Sequence, residues 1–339
     1  MINRLLHRFI LLSGILILLV SCDQEITLSA PGESLPVVFA MLNPDDSVHS
    51  IRLGRTFKSE GSALDIARSP DSICYEALRP RVELFTESGW KYYEMVFLPV
   101  PEMNKEEGIF TGEGTQLYQC KFKLSRLMIR GTRLVLNIQP DSGRTLCSSV
   151  ISYVDPPKIL APKQGLHTRL DFYPPPLEVR FEDPDEFVRY ELHVIFSVLE
   201  IMNSGDTVTR LVDKVFIRNS ENSGVPRSHA QVIVNVPGDL LLAQVRQVIK
   251  PNPDVAYRLP GEIEIQVRTG SPEYYEYMDL NRMAADYGGQ VISNITGGVG
   301  VFGFRYCSRV NKIFLVMFTM DSLINGHFTR HLGFRGWGD

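Results

Sequence analysis

The chain has 339 residues and a formal net charge of −4, with 44% hydrophobic and 22% charged residues. These values are ordinary for a globular protein and exclude a disordered or uniformly apolar chain. A mildly acidic chain lacks the positive field that nucleic-acid binding requires, so we expect no nucleic-acid partner. The length favours two domains.

Residues 1–21 have the pattern of a secretory signal peptide. Arg4 and Arg8 give a basic start, and an apolar run from Phe9 to Val20 follows. This run is shorter than the roughly 20 apolar residues that a membrane-spanning helix needs. Because the leader holds two arginines and no acidic residue, its removal takes the formal charge from −4 to −6.

Leu19-Val20-Ser21-Cys22 resembles the lipobox of bacterial lipoproteins. The resemblance implies cleavage before Cys22 and acylation of that cysteine, with palmitate-like chains that hold the protein on a membrane. Each buried methylene contributes about 0.8 kcal/mol, so several chains give stable attachment. We predict lipidation at Cys22 and a tether over residues 22–34. The short acidic stretch Asp23–Glu25 resembles a surface-export signal, and the periplasmic and cell-surface faces both stay open.

Residues 35–155 show short strands with alternating apolar side chains, which predicts an N-terminal β-sandwich. Glu87-Ser88-Gly89 and Pro140-Asp141-Ser142-Gly143 have the composition of hairpin turns. Asp155-Pro156-Pro157 is the best linker candidate, because paired prolines remove amide donors and stiffen the backbone.

Residues 156–320 are predicted to form a second β-sandwich that carries two short helices. Alternation at Ile263, Ile265 and Val267 is typical of its strands, which also include two separate strands at 299–306 and 312–318. The helices are expected after Asp239 and after Ser271, each acting as a capping residue. Residues 321–339 are expected to be a polar C-terminal tail. The fold class is therefore mainly β, with two antiparallel sandwiches of the immunoglobulin or fibronectin kind.

Four cysteines remain after Cys22, which in an exported protein permits disulfides with three possible connectivities. Sequence alone does not choose between them. Cys120 lies in an alternating apolar run, where a cysteine behaves as a small buried hydrophobe. The other three are Cys74, Cys147 and Cys307.

The C-terminal half carries a more specific pattern. A tyrosine-rich segment, Ser271 to Tyr277, is followed by Ser293-Asn294-Ile295 and by the glycine-valine-phenylalanine run Gly297 to Gly303. This arrangement resembles the Bacteroidota lipoproteins of domain of unknown function 4249. The resemblance implies an outer-membrane-associated lipoprotein, often encoded beside a TonB-dependent transporter, with no established activity.

Two motifs invite a chemical interpretation, and both are better explained structurally. A phosphate-binding glycine run must open a helix, whereas a strand pattern follows Gly297 to Gly303, so turn or close-packing glycines are favoured. His327 and His331 are four residues apart, as in some metal sites, but no third ligand is evident and Gly326 and Gly333 interrupt the helix. We therefore predict no metal, no cofactor and no catalytic residue.

Aromatic residues form two clusters, which are more typical of core packing than of a binding surface. On the predicted second helix, Tyr274 and Tyr277 share a face with Met278, and we expect that face to pack on the sheet and Tyr275 to be exposed. The other cluster contains Trp90, Tyr92 and Tyr93.

The functional hypothesis is a non-catalytic accessory or binding component of an outer-membrane transport system, with an unknown ligand. The alternatives are a structural or adhesive surface protein, and a hydrolase whose catalytic residues assemble only in space. A transporter gene beside this one favours the first, and a pocket with converging acid, base and nucleophile favours the last.

Overall fold

A computed structural model of the chain describes residues 34–57, 69–75, 77–86, 91–100, 116–140, 143–163, 165, 168–173, 175–183, 189–219, 230–287 and 293–338. The predicted signal peptide and Cys22 lie outside these residues, as do most of the tether, Trp90, His167 and His229. No helix of the described part is both long and apolar enough to cross a membrane.

The N-terminal half folds into two antiparallel sheets whose apolar faces share one core, as the alternation predicts. Val38, Ile51, Val82 and Leu134 are buried in it. One sheet contains β1 (Pro36–Leu42), β2 (Val48–Arg55), β5 (Leu98–Val100) and β6 (Gln116–Lys121), and the other contains β3 (Leu78–Phe85), β4 (Tyr92–Val96), β7 (Arg133–Pro140) and β8 (Cys147–Ser152). A single helical turn, α1 (Pro70–Ile73), lies beside β2.

The C-terminal half is a second sandwich, formed around longer strands. Ile263, Ile265 and Val267 are fully buried, which confirms the alternation read from the sequence. Its strands are β9 (Lys158–Ala161), β10 (Thr168–Leu170), β11 (Leu177–Asp183), β12 (Arg189–Met202), β13 (Thr207–Asn219), β14 (Ala230–Val236), β15 (Val255–Gly270) and β16 (Val299–Leu315). β14, β11 and β9 form the smaller sheet.

Three helices belong to this half, one more than the sequence predicts. They are α2 (Gly238–Val248), α3 (Pro272–Tyr287) and α4 (Met317–Asn325). Of the two predicted caps, Ser271 lies at the N-cap position of α3, where its carbonyl accepts the first N–H groups of the helix, and Asp239 is wrong. Pro237 is the N-cap of α2, and Asp239 instead accepts a hydrogen bond from the Tyr173 hydroxyl. The Ser271 hydroxyl accepts the backbone N–H of Phe304, which ties α3 to β16.

β16 joins the two sandwiches. Residues 299–304 pair in parallel with β1, and residues 305–313 pair antiparallel with β15, so one nine-stranded sheet continues across both halves. The two strands predicted at 299–306 and 312–318 are therefore one strand, and Phe318 lies in α4. Residues 307–311, which separate the two predicted strands, belong to β16, and a bulge follows them at Lys312, whose φ is 58°.

The glycine run opens β16 and lets it approach β1 closely. Gly300 has a φ of 123°, and a Cβ there would collide with the carbonyl oxygen of Val38. Gly297 has a φ of 77° and lies against the Leu146 carbonyl, 2.9 Å from where its Cβ would be. These glycines serve backbone packing, as the sequence predicts.

The predicted linker and tail are both held in place. The Ser308 hydroxyl donates to the Pro157 carbonyl, and β9 begins at the next residue. At the C-terminal end, Leu332 and Phe334 are buried, so residues 321–339 are not the polar tail that we expected. The domain limits 35–155 and 156–320 stay predictions, and β16 pairs with strands on both sides of them.

Candidate interaction site

The one histidine of the described chain that pairs with a carboxylate through a short hydrogen bond is His193 on β12. Its Nδ1 lies 2.7 Å from Oδ2 of Asp213 on β13. Its Nε2 lies 3.5 Å from Oε2 of Glu191, which is next along the same face of β12. In a hydrolytic triad this second nitrogen would face a hydroxyl or thiol, whereas here it faces another carboxylate.

The same cluster contains polar atoms that burial leaves unsatisfied. His193 Nε2 and Asp213 Oδ1 are both buried without a hydrogen-bond partner. Such atoms are rare in folded proteins, because each one loses its water without gaining a replacement. A ligand or partner that reached this face could supply the missing hydrogen bonds.

An apolar stripe on β13 lies beside this cluster. Leu211, Val215 and Ile217 point to the same face of β13 as Asp213, and they are 64%, 39% and 66% exposed. β13 is also the outermost strand of the nine-stranded sheet as described. Unpaired edge strands with apolar side chains are the usual template for strand addition or protein contact.

Toward the sheet centre, the same outer face becomes a polar network. Gln266 donates to Glu264 Oε1 at 2.8 Å and accepts from Arg268 Nε at 2.7 Å. The Cys307 thiol lies 3.6 Å from Gln266 Oε1, and Arg309 lies 4.0 Å from Glu264. The apolar stripe is therefore bounded by charged groups on its inner side, as in the rim of a protein interface.

A cleft of about 760 Å³ lies where the two sandwiches meet. Asp45 and Asp46 line one side, and Lys158, Cys307 and Arg309 line the other. Its walls carry both signs of charge and include no histidine. The described residues contain no group of three histidine, cysteine or acidic side chains arranged to hold a metal ion.

The remaining histidines do not assemble a site in the described structure. His49 is buried, and its Nε2 lies 2.8 Å from the Phe122 carbonyl oxygen. The His327 ring contacts that of its neighbour Phe328 in a tilted arrangement, and His331 lies in a 3₁₀ turn, so the two histidines are not one turn apart on a helix.

No disulfide joins the four cysteines that the structure describes, so none of the three connectivities is realised among them. Cys120 and Cys147 are buried, as predicted for Cys120. Burial raises the pKa of the Cys120 thiol to about 12 and that of Cys147 to about 11. Both thiols are therefore protonated and unreactive at neutral pH.

The prediction for the tyrosine helix is wrong. Tyr275 is buried, whereas Tyr274 and Tyr277 are half-buried and Met278 is exposed. The reason is that Arg189 contacts two residues one helical turn apart. Its guanidinium lies 5.2 Å from the centre of the Tyr275 ring and donates to the Asp279 carboxylate at 2.8 Å. Burial, and then the charge of Glu191, raises the pKa of Tyr275 to about 12.

No known family profile matches this chain, and no curated protein matches it either. Among solved structures, it is similar to the FN1–FN3 domains of chicken CNTN1, at 9% identity and a TM-score of 0.19. That match covers 70% of this chain and 60% of the other, so this chain spans about three-fifths of that structure. The calcium-binding domain CBD12 of CALX1.1 also matches, at 6% identity and a TM-score of 0.19, over 83% of this chain and 99% of the other.

Proposed function

We propose that this chain is an outer-membrane-anchored lipoprotein that acts as a non-catalytic accessory or binding component of a TonB-dependent transport system. The observation that carries the binding role is the apolar stripe on edge strand β13, with buried, unsatisfied polar atoms at its centre. The transporter as partner rests on the sequence resemblance to the Bacteroidota lipoproteins.

The lipobox supports the membrane anchor. Cys22 precedes Ser34, the first described residue, by a tether that can extend to about 45 Å. A fold held so close to the membrane meets membrane proteins at a high effective concentration, and modest affinity then suffices. This arrangement is compatible with both the periplasmic and the cell-surface face of the membrane.

The stripe has the character of a protein contact rather than of a catalytic site. Strand β13 offers a 13-residue edge, about 43 Å long, to a partner strand. A partner that covered Leu211 and Ile217 would remove apolar surface from water, and this burial stabilises a complex by about 25 cal/mol per Å². A partner must cover more than one strand, because stable interfaces bury about 1,200–2,000 Å² in total.

A structural or adhesive role is the second candidate, and the continuous sheet favours it. Because β16 pairs with both β1 and β15, the two sandwiches resist bending at their junction, as spacers in a surface protein must. Strand pairing through β13 would then join copies of this chain, whereas the transport role requires a different partner.

Site-specific photo-cross-linking in intact cells tests the proposal. A photoreactive residue at Ile217 should give a cross-link to a TonB-dependent transporter. The matched control is Val150, which is exposed on the outer face of the first sandwich and should give none. Cross-links from Ile217 to another copy of this chain would favour the structural role. The absence of any cross-link from Ile217 at native abundance would count against both roles.

A further inference from the structure

The first sandwich carries a basic cap at one end. Residues 121–133 connect β6 in one sheet to β7 in the other and contain five basic and no acidic residues, in a chain whose net charge is negative. All five basic side chains are exposed. They are Lys121, Lys123, Arg126, Arg130 and Arg133.

The cap is held rigidly from beneath. Leu124 is fully buried, and the backbone N–H of Ser125 donates to the Pro44 carbonyl at 2.9 Å. Further along, Gly131 N–H donates to the Tyr153 carbonyl at 3.0 Å. The basic side chains are therefore presented by an ordered backbone, and binding would not have to order it.

Exposed apolar side chains accompany the cap. Ile129 is 48% exposed in its middle. On the outer face of the adjoining sheet, Arg133, Phe85 and Tyr92 stand in register on three neighbouring strands, and Tyr92 is 65% exposed. The neighbouring turn carries Asp45 and Asp46, which reduces the local excess from five positive charges to three.

We propose that this cap, with Phe85, Tyr92 and Ile129, rests on an anionic lipid surface and orients the anchored protein. Scattered cations around isolated apolar and aromatic residues suit the headgroup region of a membrane. They suit a protein partner less well, because the core of a protein interface is depleted of charge.

The anchor allows this orientation, and to that extent the inference rests on the proposed lipidation. Strand β1 is about 23 Å long and begins at the end opposite the cap. The tether from Cys22 reaches about 45 Å, so it can run back along the sandwich and leave the cap against the lipid.

The test uses the full lipidated protein in vesicles of phosphatidylcholine alone, or of phosphatidylcholine and phosphatidylglycerol in equal parts. A water-soluble amine acylator and mass spectrometry give the reactivity of Lys121 and Lys123, with exposed Lys250 and Lys312 as internal controls. We expect at least about fivefold protection of the cap lysines on anionic vesicles only, which corresponds to the attraction of one basic residue, about 1 kcal/mol. High salt should remove the protection.

Two charge-reversed variants sharpen the result. Arg126→Glu with Arg133→Glu should abolish the protection, whereas Arg169→Glu with Arg246→Glu, two exposed arginines elsewhere, should leave it. Equal cap reactivity on both vesicles overturns the proposal, and a cross-link from position 92 to a protein in cells would then identify a protein as the partner of this surface. Failure of the lipid anchor is distinguishable, because the protein would then be absent from neutral vesicles.

Discussion

The side-chain amide of Asn294 forms both backbone hydrogen bonds of Phe302. Its Nδ2 donates to the Phe302 carbonyl at 2.7 Å, and its Oδ1 accepts the Phe302 N–H at 2.9 Å. This pairing closes the glycine turn from which β16 enters the sheet between β1 and β15. Thr296 continues the support by exchanging backbone hydrogen bonds with Ser148 of β8.

Asn294→Ala should therefore lower the free energy of unfolding by about 1–3 kcal/mol, because it leaves two backbone groups without partners. Asn294→Asp keeps the acceptor for the Phe302 N–H and should cost less. Urea denaturation measures both changes. Asn325→Ala, which removes an exposed bond to Asp321, is the control, and an equally large loss there would refute the argument.

Arg258 anchors the C-terminal segment. Its guanidinium bonds Glu200 Oε1 at 2.8 and 2.9 Å and the Leu332 carbonyl, and both charged side chains are buried. Arg258→Met should lower the free energy of unfolding by about 3–5 kcal/mol, because it leaves the buried Glu200 carboxylate without its buried cationic partner. It should also expose residues 326–338 to protease. Arg210→Met removes an exposed cation from the same carboxylate and should cost less than about 1 kcal/mol. Equal losses would contradict this.

The pH dependence of stability should include a contribution from His49. Burial lowers its pKa from 6.5, although the Phe122 carbonyl and then Asp46 oppose the shift. Because the folded pKa is the lower one, the unfolded chain takes up the proton first as pH falls. The stabilisation from neutral His49 is therefore fully present above pH 6.5 and is lost as pH falls below that value toward the folded pKa. Denaturant midpoints between neutral and mildly acidic pH should fall less for His49→Gln than for the exposed control His327→Gln.

The predicted lipid anchor is tested by a single change. Cys22→Ala should abolish labelling by radioactive palmitate and stop cleavage before residue 22, because the thiol is the acceptor in lipoproteins. Cys307→Ala, at a half-buried cysteine, should leave both unchanged. Normal labelling of Cys22→Ala would refute the lipoprotein assignment.

Sequence patterns predicted the strands well where one face is apolar and the other polar, as at Ile263, Ile265 and Val267. They failed where the decisive contact is distant in sequence. Nothing near Tyr275 reveals that Arg189 lies over its ring, and nothing near Leu332 reveals that Arg258 holds it. β16 was divided at residues 307–311, where polar side chains separate two apolar runs, while the bulge that follows them depends on pairing with β15.

The candidate site escaped prediction for a related reason. Residues 208–217 are apolar on both faces, so their sequence does not say whether Val212 or Leu211 is exposed. Packing of α2 against β13 decides it, since Val212 is fully buried and Leu211 is not. Likewise, His193 and Asp213 are 20 residues apart and meet only through the β12–β13 hairpin.

The most direct test is co-purification from detergent-solubilised outer membranes, with wild type and two variants at native abundance. Ile217→Asp puts a charge into the β13 stripe, and Val150→Asp puts the same charge on an exposed site of the first sandwich. We predict that a TonB-dependent transporter co-purifies with wild type and with Val150→Asp and is lost with Ile217→Asp. Wild-type protein that elutes without a transporter, or a transporter retained equally by both variants, would contradict the account.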